Sequence, residues 1–100
     1  MSDLDKKERA AWVLNLCGEV QKRINNQLCG IMVCKTDFAD AGHCDLVGYE
    51  QVFYHSRLQG SIQFGVYVIR QGIFLNMGDG GYINWCFEGH KFYDGKSVIF

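Results

Sequence analysis

A chain of 100 residues with 48% hydrophobic and 14% aromatic side chains can bury a core and does not have the composition of a disordered segment. Its formal charge is −1, with Lys and Arg scattered singly or in pairs, so it lacks the basic excess of a nucleic-acid binder and no nucleic-acid partner is expected. Five cysteines (an odd number), a charged start without an apolar leader, and no apolar run long enough to span a bilayer predict a cytoplasmic protein with reduced thiols and no membrane partner.

The first element is a helix over residues 5–28. Val13, Cys17, Val20, Ile24 and Leu28 recur at three- and four-residue steps, with Leu16 beside them and Trp12 and Leu14 on the flanks. Lys6, Lys7, Glu8, Glu19, Lys22 and Arg23 lie mostly off that stripe. Asp5 with Glu8 makes a capping box, Asp3 is the competing N-cap, and Gly30 is the stop. Gly18, a mid-helix glycine, suggests close packing against a sheet.

After Gly30 the period changes. Residues 31–35 are a short strand, residues 36–46 a loop rich in Asp, Ala and Gly, and residues 47–55 an alternating strand with aromatics on both faces. Residues 56–60 turn into a strand over 61–70, where Ile62, Phe64, Val66 and Val68 share one face and Tyr67 and Ile69 the other. Gln71-Gly72 and the glycine run at 78–81 read as turns around strands over 73–77 and 82–87. Asp94-Gly95 between 91–93 and 96–99 is a hairpin signal.

These elements predict a single α+β domain over residues 1–100: one long N-terminal helix packed on an antiparallel meander of five to seven strands. One helix cannot cover both faces of such a sheet. The remaining face still holds Tyr67, Ile69 and several aromatics, so the sheet is expected to curl into a partial barrel or to self-associate.

Residue types for four kinds of chemistry are present. Cys29-x4-Cys34, Cys86-x3-His90 and His43-Cys44 fall inside the broad zinc spacing, but no tight CxxC knuckle occurs and no metal site is expected. Cys44 or Cys86 with His43, His55 or His90 supplies the residue types of a thiol nucleophile, without a surrounding signature. The aspartates at 37, 40 and 45 lack the alternating donors of a calcium loop, and the 78–81 glycine run is followed by a strand, unlike a phosphate loop. The last kind is recognition: Tyr82, Asn84 and Cys86 alternate with Ile83, Trp85 and Phe87, and if the second set faces the helix the first is presented near Asn76, Asp79 and His90.

The helix-then-sheet order is similar to that of the cystatins, in which an antiparallel sheet wraps one long helix. The Gln-x-Val-x-Gly hairpin of that family is missing here, since Gln51-Val52 and Gln59-Gly60 do not complete it. The resemblance therefore implies a topology and no activity.

The expectation is a small non-catalytic module that binds a protein partner, a second copy in a homodimer included, and needs no cofactor. Its binding residues are Asp37, Asp40, His43, Asn76, Asp79, Tyr82 and Asn84, on loops held by a rigid scaffold. The alternatives are a thiol-dependent enzyme or zinc protein built on Cys44 and Cys86, and a carbohydrate-binding rim over 76–85.

Overall fold

The computed structural model describes residues 3–24, 28–78 and 83–100. Helix α1 spans Asp3–Arg23, with Asp3 and Asp5 in its first turn and Lys22 and Arg23 in its last, both suited to the helix dipole. Val13, Cys17 and Val20 of the predicted stripe are buried, with Trp12, Leu16 and Ile24 packed against the same core. The helix stops a turn earlier than the periodicity suggests. Leu28 consequently lies off the stripe and is 96% exposed.

Six strands follow among the described residues: β1 (Gly30–Lys35), β2 (Ala39–Ser56), β3 (Gly60–Asn76), β4 (Trp85–Glu88), β5 (Phe92–Tyr93) and β6 (Ser97–Ile99). All pairings are antiparallel, and the sheet curls into a half-barrel with α1 on one face. The strand order β4-β1-β3-β6-β5 has β3 at its centre, and β2 pairs with β3 as well. One edge of β3 is zipped to β2 from Ser56↔Gly60 to Ala39↔Asn76. The other edge is shared, with β1 taking Phe64 to Ile69 and β6 taking Ile73 to Leu75.

Two apolar clusters lie on opposite faces of this sheet. Ile31, Val33, Tyr54, Ile62, Phe64 and Val66 meet the helix stripe. Met32, Cys34, Tyr67, Ile69, Phe74, Trp85, Val98 and Phe100 fill the concave side. Alternation along β1, and along β3 as far as Ile69, divides the two sets as a pleat requires, and curling covers the second face. In β4 the alternation is as expected but the faces are exchanged: Cys86 joins the helix side, while Trp85 and Phe87 join the concave side.

Two segments read as loop and turn are strand. Residues 39–46 belong to β2, where register shifts between Asp40 and His43, Asp45 and Leu46, and Leu46 and Gly48 break the two-residue period. Gln71-Gly72 does not reverse the chain. Gly72 has φ 130°, a conformation that L side chains resist, and it lets β3 bend while Gly72 still exchanges both backbone hydrogen bonds with Phe100.

Rings lie on glycines at three places. A side chain at Gly30, Gly65 or Gly78 would run into Phe100, Tyr67 or Phe38 respectively. The Asp94-Gly95 hairpin forms as predicted: Asp94 Oδ1 accepts the Lys96 and Ser97 amides at 3.1 and 2.8 Å, and these bonds hold its carboxyl below the usual range.

A methyl group at Gly72 would overlap the His43 carbonyl oxygen and the backbone of Cys44, neither of which is free to move. Gly72→Ala is expected to cost about 3 kcal/mol in urea melts. Gly60→Ala, with open space at a φ of 74°, should cost about 1 kcal/mol.

Candidate functional site

The site residues named from sequence separate in space. Asp37 is exposed in the short turn before β2, its carboxylate 4.0 Å from Lys35 Nζ, which also sits 4.7 Å from the centre of the Phe38 ring. Asp40 Oδ1 accepts the Gly42 amide at 2.9 Å. The register places Asp40 against Leu75 and Ala39 against Asn76, so Asp37, Asp40 and Asn76 share the open end of the β2–β3 hairpin. His43 is exposed further along β2 and lines a cavity of about 360 Å³ with Asp45, Gln71 and Lys91.

Two of the proposed contact residues turn inward. Asn76 is buried, and its Oδ1 accepts the Gly78 amide at 2.9 Å. Asn84 is buried as well, and its carbonyl accepts the Lys35 amide at 2.8 Å. Both act within the scaffold, fixing the ends of β3 and β4. Asp79 and Tyr82 lie outside the described residues. Trp85, next to Asn84 on the 76–85 rim, is buried in the concave cluster.

The two cysteines singled out from sequence, Cys44 and Cys86, are not brought together. Cys44 packs on the concave cluster and Cys86 on the helix cluster, so the sheet stands between them. No group of three metal-ligating side chains occurs among the described residues. His55 shares a hydrogen bond with Ser61 Oγ at 3.1 Å, and His90 stacks edge-on against Phe87 at 4.9 Å. Burial, and then the Asp40 carboxylate, push the Cys44 thiol up. Cys17 of α1 and Cys86 of β4 pack on the same helix-side cluster, and their mutual influence lowers Cys86 and raises Cys17.

What the sequence did not disclose is a polar clamp between the start of α1 and the tip of the β2–β3 hairpin. Asp5, read as a cap, and Arg9, assigned no role from sequence, are 4% and 2% exposed. Ser56 Oγ donates towards the Asp5 carboxylate at 3.4 Å and accepts the amides of Leu58 and Gln59 at 3.3 and 3.2 Å. Arg9 Nη2 donates to Gln59 Oε1 at 3.1 Å, and the guanidinium carbon lies 5.9 Å from the centre of the Tyr54 ring. Glu8, assigned above to a capping box, instead reaches Arg57 at 3.4 Å. Burial, and then Asp5 and Glu8, raise the Tyr54 phenol.

The other overlooked feature is the outer edge of β2. Among the described residues this 18-residue strand pairs with β3 alone, which leaves alternate backbone N–H and C=O groups of its far side without a strand. The register shifts stop at Gly48, and from there to Ser56 the strand is regular. That regular half carries Tyr49 and Phe53, 48% and 53% exposed, next to the exposed Leu46 and Val47. Tyr49 is held in place by the Tyr67 ring, 5.0 Å between centroids. A regular strand edge with large apolar side chains beside it can accept another strand.

Comparison with known proteins adds one partial likeness. A stretch of 48 residues, 48% of this chain, is 46% identical to the stress response protein YvgO of Bacillus subtilis (strain 168). The match covers 30% of that protein's length. No family model and no solved structure matches the chain. No helix among the described residues is long and apolar enough to cross a membrane.

The clamp and the buried thiols each carry a measurable consequence. Arg9→Ala strips the Gln59 amide oxygen and the Tyr54 ring of their partner and is expected to cost about 3 kcal/mol in chemical denaturation. Burial pushes the Cys34 thiol from 9.0 up to about 12, and Tyr67 moves in the same direction. Above the unfolded value the unfolded chain loses the Cys34 proton while the folded chain keeps it, so stability falls as pH rises from 9.0 towards about 12. The slope due to Cys34 is at most about 1.4 kcal/mol per pH unit. Urea melts at about pH 8 and about pH 10.5 should show this loss, and Cys34→Ala should reduce it.

Proposed function

We propose that this chain is a protein-binding domain without catalytic chemistry of its own, and that its partner docks along the outer edge of β2. The observation that carries this reading is the regular, strand-competent edge over residues 48–56, with Tyr49 and Phe53 exposed on it. The first half of β2 has the opposite character. Its register shifts and the Asp40 and Asp45 carboxylates are devices that discourage pairing, so docking is confined to the second half.

The partner we assign is a second copy of the chain, forming a homodimer. An antiparallel strand pairs with its own copy about a two-fold axis, so one edge supplies both halves of the contact. The domain acts in a reducing compartment such as the cytoplasm, in keeping with five free cysteines. The likeness to a stress response protein adds a process to the same proposal: the docking serves a response to stress.

Native mass spectrometry across a dilution series should show a dimer that dissociates on dilution. Hydrogen exchange should show that the dimer protects the amides of 48–56. Phe53→Lys, at an exposed position, is expected to weaken the dimer at least about tenfold while leaving the unfolding midpoint within about 0.5 kcal/mol of the parent. A monomer at every concentration, or a dimer indifferent to Phe53→Lys, would overturn the assignment.

A further inference from the structure

The β2–β3 hairpin outruns β1, and the shelf it leaves lies on the opposite side of the hairpin from the free edge of β2. β1 ends at Lys35, opposite Phe64, while the hairpin continues to the pair Ser56↔Gly60. Among the described residues, β3 from 60 to 63 therefore has no strand beside it on the β1 side. A cavity of about 420 Å³ opens there, lined by Lys35, Asp37, Phe53, Ser61, Ile62 and Gln63. That volume falls within the range of about 300–1,000 Å³ common to small-molecule sites.

The lining groups are held in place. Phe53 and Gln63 are direct partners in the β2–β3 register, and the neighbouring pair Tyr54↔Ile62 packs towards the helix, so ring and amide share the other face. Phe53 keeps 53% of its surface exposed. Ser61 Oγ shares a hydrogen bond with His55 Nδ1 at 3.1 Å. Lys35 Nζ stands 4.7 Å from the centre of the Phe38 ring and 4.0 Å from the Asp37 carboxylate, and its side chain is only 26% exposed. Side chains fixed in this way lose little further freedom when a ligand arrives.

We infer that this shelf binds a neutral sugar ring, with the apolar face of the ring on Phe53 and its hydroxyls among Lys35, Asp37, Ser61 and Gln63.

The chemistry of the lining selects that class. The charges of Lys35 and Asp37 cancel, so the cavity favours neither an anion nor a cation. The ammonium donates hydrogen bonds, the carboxylate accepts them, and the Ser61 hydroxyl and Gln63 amide do both. An anionic ligand would pair with Lys35 and be repelled by Asp37, and a cationic one the reverse. A wholly apolar ligand would strip water from all four groups and return nothing. Neighbouring hydroxyls accept from the one charge and donate to the other, so a polyol satisfies the whole set. A pyranose adds to its hydroxyls a patch of C–H groups, which packs on an exposed aromatic ring. Phe53 is common to the shelf and to the free edge of β2, whereas Lys35, Asp37, Ser61 and Gln63 belong to the shelf alone.

The test is a titration of the isotope-labelled full chain, followed by amide NMR shifts. D-glucose, D-galactose, D-mannose and N-acetyl-D-glucosamine are added in separate runs, each to about 50 mM. At least one of them should move the amides of 35–37, 53 and 61–63 together, with a Kd on the order of 1 mM. Asp37→Ala at an exposed position and Gln63→Ala at a half-buried one should each weaken that binding about fivefold or more, with folding unaffected. Inorganic phosphate and putrescine, the charged controls, should leave those amides in place. Neither variant alters β2, so the result stands apart from the homodimer and its Phe53→Lys test. The sugar site is ruled out if no sugar gives a saturable shift, if the shifts persist in both variants, or if phosphate or putrescine moves the same amides equally.

Discussion

The structure depends on β3 serving three strands at once. Its one edge carries β2 along the whole length, while the other must pass from β1 to β6 between Ile69 and Gly72. A straight strand with a continuous pleat would hold β1 and β6 in one plane. The positive φ of Gly72 breaks that continuity, so β6 and β5 swing towards the concave side and close it over Met32 and Trp85. Both the half-barrel and the burial of its inner face follow from this bend.

The helix is held from two directions, by different physics. Along its middle, Val13, Cys17 and Val20 bury apolar area without directional constraint. At its start, the set around Asp5, Arg9, Ser56 and Gln59 accepts one arrangement only, because each buried polar group needs its partner in place. The apolar stripe supplies the attraction and the clamp fixes the helix along its axis. Among the described residues the sheet keeps free edges at β4, β5 and β2, and that of β2 is by far the longest.

The apolar layout was legible where periodicity is local. The stripe of α1 from Val13 to Val20, the row Ile62-Phe64-Val66, and the Asp94-Gly95 hairpin are all where the sequence places them. The need for curling was legible too, from aromatics on the face the helix could not reach. Residues 39–46 were not, because each register shift inverts the phase of the alternation and the sum looks like a loop. Gly72 reads as a turn since glycine marks both reversals and bends. Asp5 reads as a helix cap and Arg9 goes unmarked because their partners lie in the hairpin tip, some fifty positions away, as in the Asp5–Ser56 separation of 51. Asn76 and Asn84 looked like rim groups for a similar reason: their backbone partners come from other elements.

The rings resting on glycines at Gly30, Gly65 and Gly78 have a consequence for how this sequence can vary. Each ring and the bare α-carbon beneath it form one packing unit, so a change to either alone leaves a collision or a void. Gly30 tolerates a methyl group only if Phe100 shrinks with it, and a smaller residue at Phe100 is best accepted when Gly30 grows. Such positions are coupled in the thermodynamic sense, with a double change costing less than the sum of the single ones. Three such units, two of them linking segments distant in the chain, restrict drift on the concave side of the sheet more tightly than its apolar character alone would.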